Sequence, residues 1–167
     1  MRFSPKVRKA ALSIHVLCAV GWFGAVAGYL ALALTGLRNA DPHMVRACYT
    51  AMALIGWWVI APASAAALLT GILQALCTAW GLTRHWWVLL KLGITLFAVA
   101  ALLVHLHPTS LMAEIVKAHD LAPGEFGRAR WQLVIAPTLA LILLAFNASL
   151  GVVKPSGLTP IGARRRV

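Results

Sequence analysis

The sequence predicts an all-α integral membrane protein that folds as one antiparallel four-helix bundle, and its composition is the first reason. Of the 167 residues, 61% are hydrophobic and 11% are charged, whereas a soluble domain carries about 25% charged residues. The four acids fall into two short polar stretches. Between and beside them lie four apolar stretches of about 20 residues or more, the length that a bilayer core of about 30 Å requires of a helix. Residues 1–167 are therefore interpreted as a single transmembrane domain.

The first two spans are predicted from apolar length. The first covers residues 10–34, and its apolar stretch of about 25 residues exceeds the 7–15 of a cleavable signal peptide. The second apolar region is too long for one perpendicular crossing at about 1.5 Å per residue. We predict an interfacial lead-in from Met44, then a span over residues 55–79 that Pro62 divides or kinks.

The third and fourth spans enclose the longest polar stretch. The third is predicted over residues 86–106 and is closed by Pro108. A short amphipathic surface helix is expected over residues 110–121, before a Pro-Gly turn. The fourth span is predicted over residues 131–153.

Charge placement predicts the orientation. With four spans both termini share one side, and they carry eight of the fifteen basic residues and no acid. The positive-inside tendency predicts that both termini and the turn at Arg84 are cytoplasmic. Basic residues beside apolar spans fit anionic membrane lipid, whereas nucleic-acid binding would need a contiguous basic face with interleaved aromatic residues. The terminal basic residues are Arg2, Lys6, Arg8, Lys9, Lys154, Arg164, Arg165 and Arg166.

Polar residues of all four spans fall at one predicted depth, near the cytoplasmic ends. A helix advances about 1.5 Å and turns about 100° per residue, so Trp22 lies on the same face of the first span as His15. By the same count, His105 lies on the same face of the third span as Lys91, about 21 Å further out. A separate stripe containing Gly24 and Gly28 has the GxxxG spacing of a tight helix-packing face. The polar residues at the shared depth are His15, Thr70, Gln74, Lys91 and Asn147.

His15 and Lys91 carry the chemistry of this layer. A neutral imidazole in a membrane either bonds to a neighbouring helix or offers a nitrogen lone pair to haem iron or another metal. The lysine either snorkels to the interface or faces the bundle. Because no span contains an acid, an inward ammonium needs an anion from a ligand or lipid, such as a porphyrin propionate. A neutral amine would instead be able to ligate iron.

Histidines near the outer ends of the spans offer further metal sites. His105 is a candidate for a second site, and its depth argues against sharing one haem with His15. His105, His107, His119 and His43 form an alternative outward copper or zinc site, supported by little more than the H-x-H pattern. No nucleophile–base pair, phosphate loop or carboxylate pair is evident.

Three segments resemble, in order, the HemJ-type membrane protoporphyrinogen oxidases and the related CopD-like membrane domains. They are IHVLCAVGWFGA (14–25), MVRACYTAMALIGWWVIAPASAAALLTGIL (44–73) and WWVLLKLGITLFAVAALLVH (86–105). The resemblance covers roughly residues 10–107. It implies a b-type haem, a bacterial inner membrane, and essential roles for a histidine and a lysine that match His15 and Lys91. The HemJ pattern usually continues after W-F-G with an arginine and a further histidine, which GAVAGYLALALTG lacks. The resemblance therefore supports haem binding better than it supports porphyrinogen oxidation, and a HemJ-like oxidoreductase stays an open alternative.

The leading expectation is a membrane haem b-binding protein with a redox or porphyrin-handling role. His15 would be an axial ligand, and Lys91 a propionate partner or second ligand. The first alternative is a non-enzymatic accessory subunit of a larger membrane (respiratory) complex, packed through its glycine faces. The second is outward copper handling. Expected partners are membrane lipids and a second copy or a larger complex. The residues expected around the haem are Trp22, Thr70, Gln74 and Asn147.

Overall fold

The structure, a computed structural model, describes residues 4–77, 81–119 and 125–164. Its four long helices are each long and apolar enough to cross a membrane. The predicted all-α four-helix bundle is therefore confirmed, and the chain is a multi-pass membrane protein. The helices are α1 (Pro5–Arg38), α2 (Pro42–Cys77), α3 (Trp86–Ala118), α4 (Gly127–Val153) and the short α5 (Pro160–Arg164).

Local capping signals set where the first two helices begin. The Ser4 side chain accepts a hydrogen bond from the main-chain N–H of Val7, and a proline follows it at the first helical position. The Asp41 carboxylate likewise accepts from the N–H of His43 at 3.0 Å, again before a proline. Such caps satisfy N–H groups that a helix start leaves unpaired, and proline is tolerated there because it has no N–H to lose.

The four long helices occupy the corners of a square in cross-section. α1 packs against α2 and α4, and α3 packs against the same two helices, so α1 and α3 lie on opposite corners. Inward side chains of α1 and α3 therefore face each other across the bundle axis.

Both terminal segments and the α2–α3 connection lie at one end of the bundle. Near the end of α2, Gln74 donates to the main-chain oxygen of Ala11 at 3.0 Å. After α4, the chain folds back so that the N–H of Thr159 donates to the oxygen of Arg84 at 3.0 Å. We call this the basic end, after Lys6, Arg8, Lys9, Arg84 and Lys154, and the opposite one the acidic end, after Asp41, Glu114 and Glu125.

Pro62 does not divide α2. A π-helical turn, Gly56–Ile60, directly precedes the proline, and the N–H of Ala61 donates to the oxygen of Gly56. The wider turn accommodates a residue that lacks an N–H and crowds the carbonyl four residues back. The predicted lead-in and span are therefore one continuous helix from Pro42, and residues 78 and 79 of the predicted span lie outside the described residues.

The prediction that Pro108 closes the third helix is wrong. α3 continues through the proline to Ala118, so the described part of the expected surface helix at residues 110–121 forms the last turns of α3. The hydroxyls of Thr109 and Ser110 each donate to the carbonyl oxygen four residues back, both at 3.0 Å. The carbonyl that Pro108 leaves without its helical donor is that of Val104, one residue before the first of these acceptors.

The glycine stripe of α1 does not pack inside the chain. A Cβ added at any of these glycines would meet no atom within 4 Å. The inward face of α1 is formed instead by the larger side chains of Trp22, Val26 and Tyr29, all buried. The predicted tight packing face therefore points out of the bundle. Its glycines are Gly21, Gly24 and Gly28.

Arg130 closes the acidic end of the bundle. This α4 residue is 4% exposed, and its guanidinium donates to the main-chain oxygens of Gly36 and Leu37 at the end of α1. Its Nε also donates to the Tyr49 hydroxyl of α2 at 3.1 Å. A cation suits this position because the last carbonyls of a helix lack intrahelical donors and carry partial negative charge.

Packing is tighter in the acidic half than near the basic end. Tyr49, Met52 and Leu106 are fully buried in the acidic half. His15 and Lys91, near the basic end, keep intermediate exposure. The polar layer predicted from the sequence therefore lies in the less tightly closed half.

Candidate functional site

The predicted polar residues meet in one layer of the basic half, as two hydrogen-bonded groups. The first group joins α1 to α2, and the second joins α3 to α4. The groups are His15, Thr70 and Gln74 in the first, and Lys91, Thr95 and Asn147 in the second.

The hydrogen bonds around Thr70 fix the proton on the His15 ring. The Thr70 hydroxyl lies 2.6 Å from the oxygen of Ala66 on its own helix, a distance that requires the hydroxyl proton between the two oxygens. A hydroxyl has one proton, so the Thr70 oxygen accepts from His15 Nδ1–H, at 2.9 Å. The second ring nitrogen, Nε2, then carries the lone pair.

Gly71 provides the space in which the His15 ring lies. A Cβ on this glycine would lie 3.2 Å from the ring carbon Cε1. Gln74, one turn later on α2, donates to the main-chain oxygen of Ala11, one turn before the histidine. Gln74 thus acts by holding α1 against α2, whereas the sequence had suggested only that it lines the layer.

The Lys91 ammonium is held between helices. Its Nζ donates to the main-chain oxygen of Asn147 on α4 at 2.8 Å, and a Cβ added at Gly151 would lie 2.8 Å from Nζ. Of the two sequence interpretations, this geometry favours the inward one over a side chain extended to the interface. Its positive charge also acts on the His15 ring, so the two groups share one electrostatic environment.

Thr95 was not predicted, and it orients Asn147. Its hydroxyl donates to the oxygen of Lys91, one turn earlier on α3, at 2.8 Å. The Thr95 oxygen then accepts from Asn147 Nδ2 at 3.0 Å, so the amide oxygen Oδ1 points away and, among the described residues, has no partner although it is buried. The one sequence signal for this role is a threonine four residues after the lysine.

Trp22 lies on α1 between His15, in the polar layer, and Tyr29, nearer the acidic end. It is 4% exposed within the apolar core, about 10 Å along the helix from His15. The structure thus places it in the apolar layer that borders the polar one.

A second polar cluster lies deeper toward the acidic end and engages His105. The Thr109 hydroxyl lies 3.0 Å from the His105 carbonyl and 2.6 Å from the Tyr29 hydroxyl, and either hydroxyl can be the donor in the second pair. The Tyr29 oxygen in turn lies 3.2 Å from His105 Nε2. His105 therefore has a protein partner at Nε2.

We expect Tyr29→Phe to destabilise the protein by about 2 kcal/mol, because it leaves His105 Nε2 and the Thr109 oxygen buried without this partner. The free energy of unfolding in detergent, followed by denaturant titration, measures the change. Phe23→Ala, at an exposed position of the same helix, is the control, and an equal loss in both variants would contradict a specific role for the cluster.

Histidines and acids do not assemble a conventional metal site in the described ranges 4–77, 81–119 and 125–164. No three side chains of His, Cys, Asp or Glu come together there. His119, one member of the suggested copper or zinc set, instead lies 3.6 Å from a carboxylate oxygen of Glu125. A haem needs only one or two axial ligands from the protein, so this finding does not bear on it.

The donor set of the polar layer fits a haem chemically. His15 presents a lone pair at Nε2, the nitrogen that commonly ligates iron, with its other nitrogen held by a hydrogen bond. Lys91 supplies the positive charge that a propionate requires, and Asn147 Oδ1 is an acceptor to which no described residue donates.

Comparison of the chain with protein-family models, with curated proteins and with solved structures finds no match. The chemistry of the polar layer is therefore the basis for assigning a function.

Proposed function

We propose that this chain is a haem b-binding protein of the bacterial inner membrane with a redox or porphyrin-handling role. The haem is held in the polar layer, with His15 as axial ligand and Lys91 as propionate partner or second ligand. Both termini are cytoplasmic in this proposal, so the basic end faces anionic lipid and the haem lies near the cytoplasmic leaflet.

The observation that carries the proposal is the hydrogen bond from His15 Nδ1–H to Thr70. A histidine that only ties two helices together through Nδ1–H has the same tautomer, so this bond meets one requirement of a metal ligand. A metal-binding histidine needs a lone pair on one nitrogen and, as a rule, a hydrogen-bond acceptor at the other. Thr70 is such an acceptor because its own proton is committed to Ala66.

Lys91 supports the proposal through its charge. No acid side chain lies in the polar layer, and the ammonium's one acceptor among the described residues is a neutral main-chain oxygen. Bound haem would supply one-electron chemistry at its iron. The chain would bind and orient it through His15, compensate a propionate through Lys91, and exclude water with Trp22 and the neighbouring core.

Absorption of the purified protein tests the proposal. After expression with adequate haem, we expect a Soret band in detergent that His15→Ala abolishes and that the exposed control His107→Ala leaves intact. Thr70→Val should weaken haem binding about tenfold, as loss of an outer-shell partner does. Thr138→Val is its matched control, since the Thr138 hydroxyl donates to the Val134 carbonyl of its own helix.

Two results would contradict the proposal. Wild-type protein without a Soret band under these conditions would contradict haem binding. A band that His15→Ala and Lys91→Met both leave unchanged would contradict the residue assignment and leave haem binding elsewhere in the chain.

The outward glycine stripe favours a second candidate, an accessory subunit of a larger membrane complex. Gly21, Gly24 and Gly28 leave open space on the surface of α1, and such spacing lets two helix backbones approach closely. A colourless protein that co-purifies with a larger complex, and loses it on Gly24→Leu, would support this candidate over haem binding.

A further inference from the structure

The Lys91–Asn147 group has two unmet hydrogen-bonding capacities. The ammonium has three N–H donors, and the described residues give it one acceptor, the Asn147 main-chain oxygen. Asn147 Oδ1 is buried and, within the same described residues, lacks a donor. A buried acceptor without a partner costs free energy that a bound group would recover.

The orientation of the Asn147 amide is determined by Thr95. Because the Thr95 proton is committed to the Lys91 carbonyl at 2.8 Å, its oxygen can only accept, and the amide must present its NH₂ group there. The amide oxygen cannot turn toward Thr95 without placing two acceptors in contact. Oδ1 is therefore a fixed acceptor beside a fixed cation.

Charge balance limits what this pair can bind. Lys91 is the one charged side chain of the layer among the described residues. In a medium of low dielectric constant it compensates one negative charge, and a second ionised group would be strongly disfavoured. A neutral acceptor next to it requires a proton on the ligand.

We propose that Lys91 and Asn147 form a subsite for a singly ionised acid that keeps one proton. The charged oxygen pairs with the Lys91 ammonium, and the remaining O–H donates to Asn147 Oδ1. Two sources share this chemistry: the paired propionates of a porphyrin with one of them protonated, and the monoanion of a lipid phosphate. The porphyrin source rests on the proposed function, whereas the lipid source is independent of it.

In each of two ligand pairs, one member has the proton and the other has a methyl group in its place. Phosphatidic acid at about pH 5 is a monoanion with a P–OH group, since the second ionisation of a phosphate monoester lies near about 6. Phosphatidylmethanol is a monoanion without that proton. Haem and its monomethyl ester form the second pair: each has one carboxylate for Lys91, and only haem has a second carboxyl group that can keep a proton.

Binding of both pairs is measured on the full chain, by native mass spectrometry for lipids and Soret titration for haems. We expect the proton-bearing member of at least one pair to bind wild type about tenfold more tightly than the other member. This is the change in affinity that one hydrogen bond involving a charged group contributes. Asn147→Leu and Thr95→Val should abolish this preference, and Lys91→Met should weaken both members. Thr138→Val should leave the preference intact.

Gly151→Ala provides a test that keeps Lys91 and Asn147. Its Cβ would displace the ammonium, so both members of the pair should bind more weakly than in wild type. Gly93→Ala on α3 is the control, because a Cβ there meets no atom within 4 Å.

The outcomes separate the two sources and the two proposals. A preference seen only with lipids assigns the subsite to a phosphate, and one seen only with haems assigns it to propionates. A lipid preference in a protein that binds no haem contradicts the proposed function and leaves the subsite standing. Equal binding within both pairs in wild type, or a preference that survives Asn147→Leu and Thr95→Val, overturns the inference even if haem binds.

Discussion

Arg130→Met is expected to destabilise the protein by about 3 kcal/mol. The substitution keeps much of the side-chain volume and removes the hydrogen bonds to Gly36, Leu37 and Tyr49. The bonds to Gly36 and Tyr49 are buried, so these two acceptors lose their protein donor without gaining a solvent one. Denaturant titration in detergent measures the free energy of unfolding.

Arg128→Met is the matched control for Arg130. It removes the same charge two residues earlier on α4, where the side chain is exposed, and exposed substitutions usually change stability by less than about 0.5 kcal/mol. Equal stability of the two variants would show that the net charge, and not the clamp on α1, is what Arg130 contributes.

Gly162→Ala is expected to release the C-terminal segment from the α2–α3 connection. A Cβ at this position would lie 2.3 Å from the main-chain oxygen of Arg84, and a backbone atom cannot move aside as a side chain can. The segment would lose the bonds from Thr159 to Arg84 and Thr83. Overpacking costs about 1–3 kcal/mol, so hydrogen exchange of the Thr159 amide should accelerate about tenfold or more.

Gly127→Ala is the control for this variant, because an added Cβ there meets no atom within 4 Å. Exchange at Thr159 should stay slow in the control. Unchanged exchange in Gly162→Ala would mean that the segment shifts to accept the methyl group without leaving its contacts.

The spans were predictable because the length of an apolar stretch can be read directly along the sequence. Apolar length places the predicted spans 10–34 and 131–153 inside α1 and α4. At Pro108 the helix continues although the proline has no N–H for the carbonyl of Val104, so one lost hydrogen bond does not end α3. The hydroxyls of Thr109 and Ser110 donate to the next two carbonyls, those of His105 and Leu106.

The shared depth of the polar residues was predictable, but their pairing was not. Counting residues along ideal helices placed the five polar residues at one depth, and the structure shows His15 in contact with Thr70 and Lys91 in contact with Asn147. Which atom donates to which depends on side-chain rotamers and on the commitment of each threonine proton, and the sequence encodes neither directly. Haem ligation by His15 and Lys91 stays a prediction.

The role of Arg130 was not predicted, because no pattern in the sequence marks its hydrogen-bond partners. An arginine in a membrane protein is usually matched with an acid, and this one binds main-chain oxygens at the end of a helix 94 residues away. Every residue has such an oxygen, so no residue type marks the site.

The clamp at Arg130 has a consequence for biosynthesis. α1 precedes α4 in the chain and leaves the ribosome before it, and among the described residues Arg130 of α4 is the side chain that donates to the carbonyls of Gly36 and Leu37 at the end of α1. The acidic end can therefore close only after all four long helices have been inserted. Until then, the end of α1 lacks this donor.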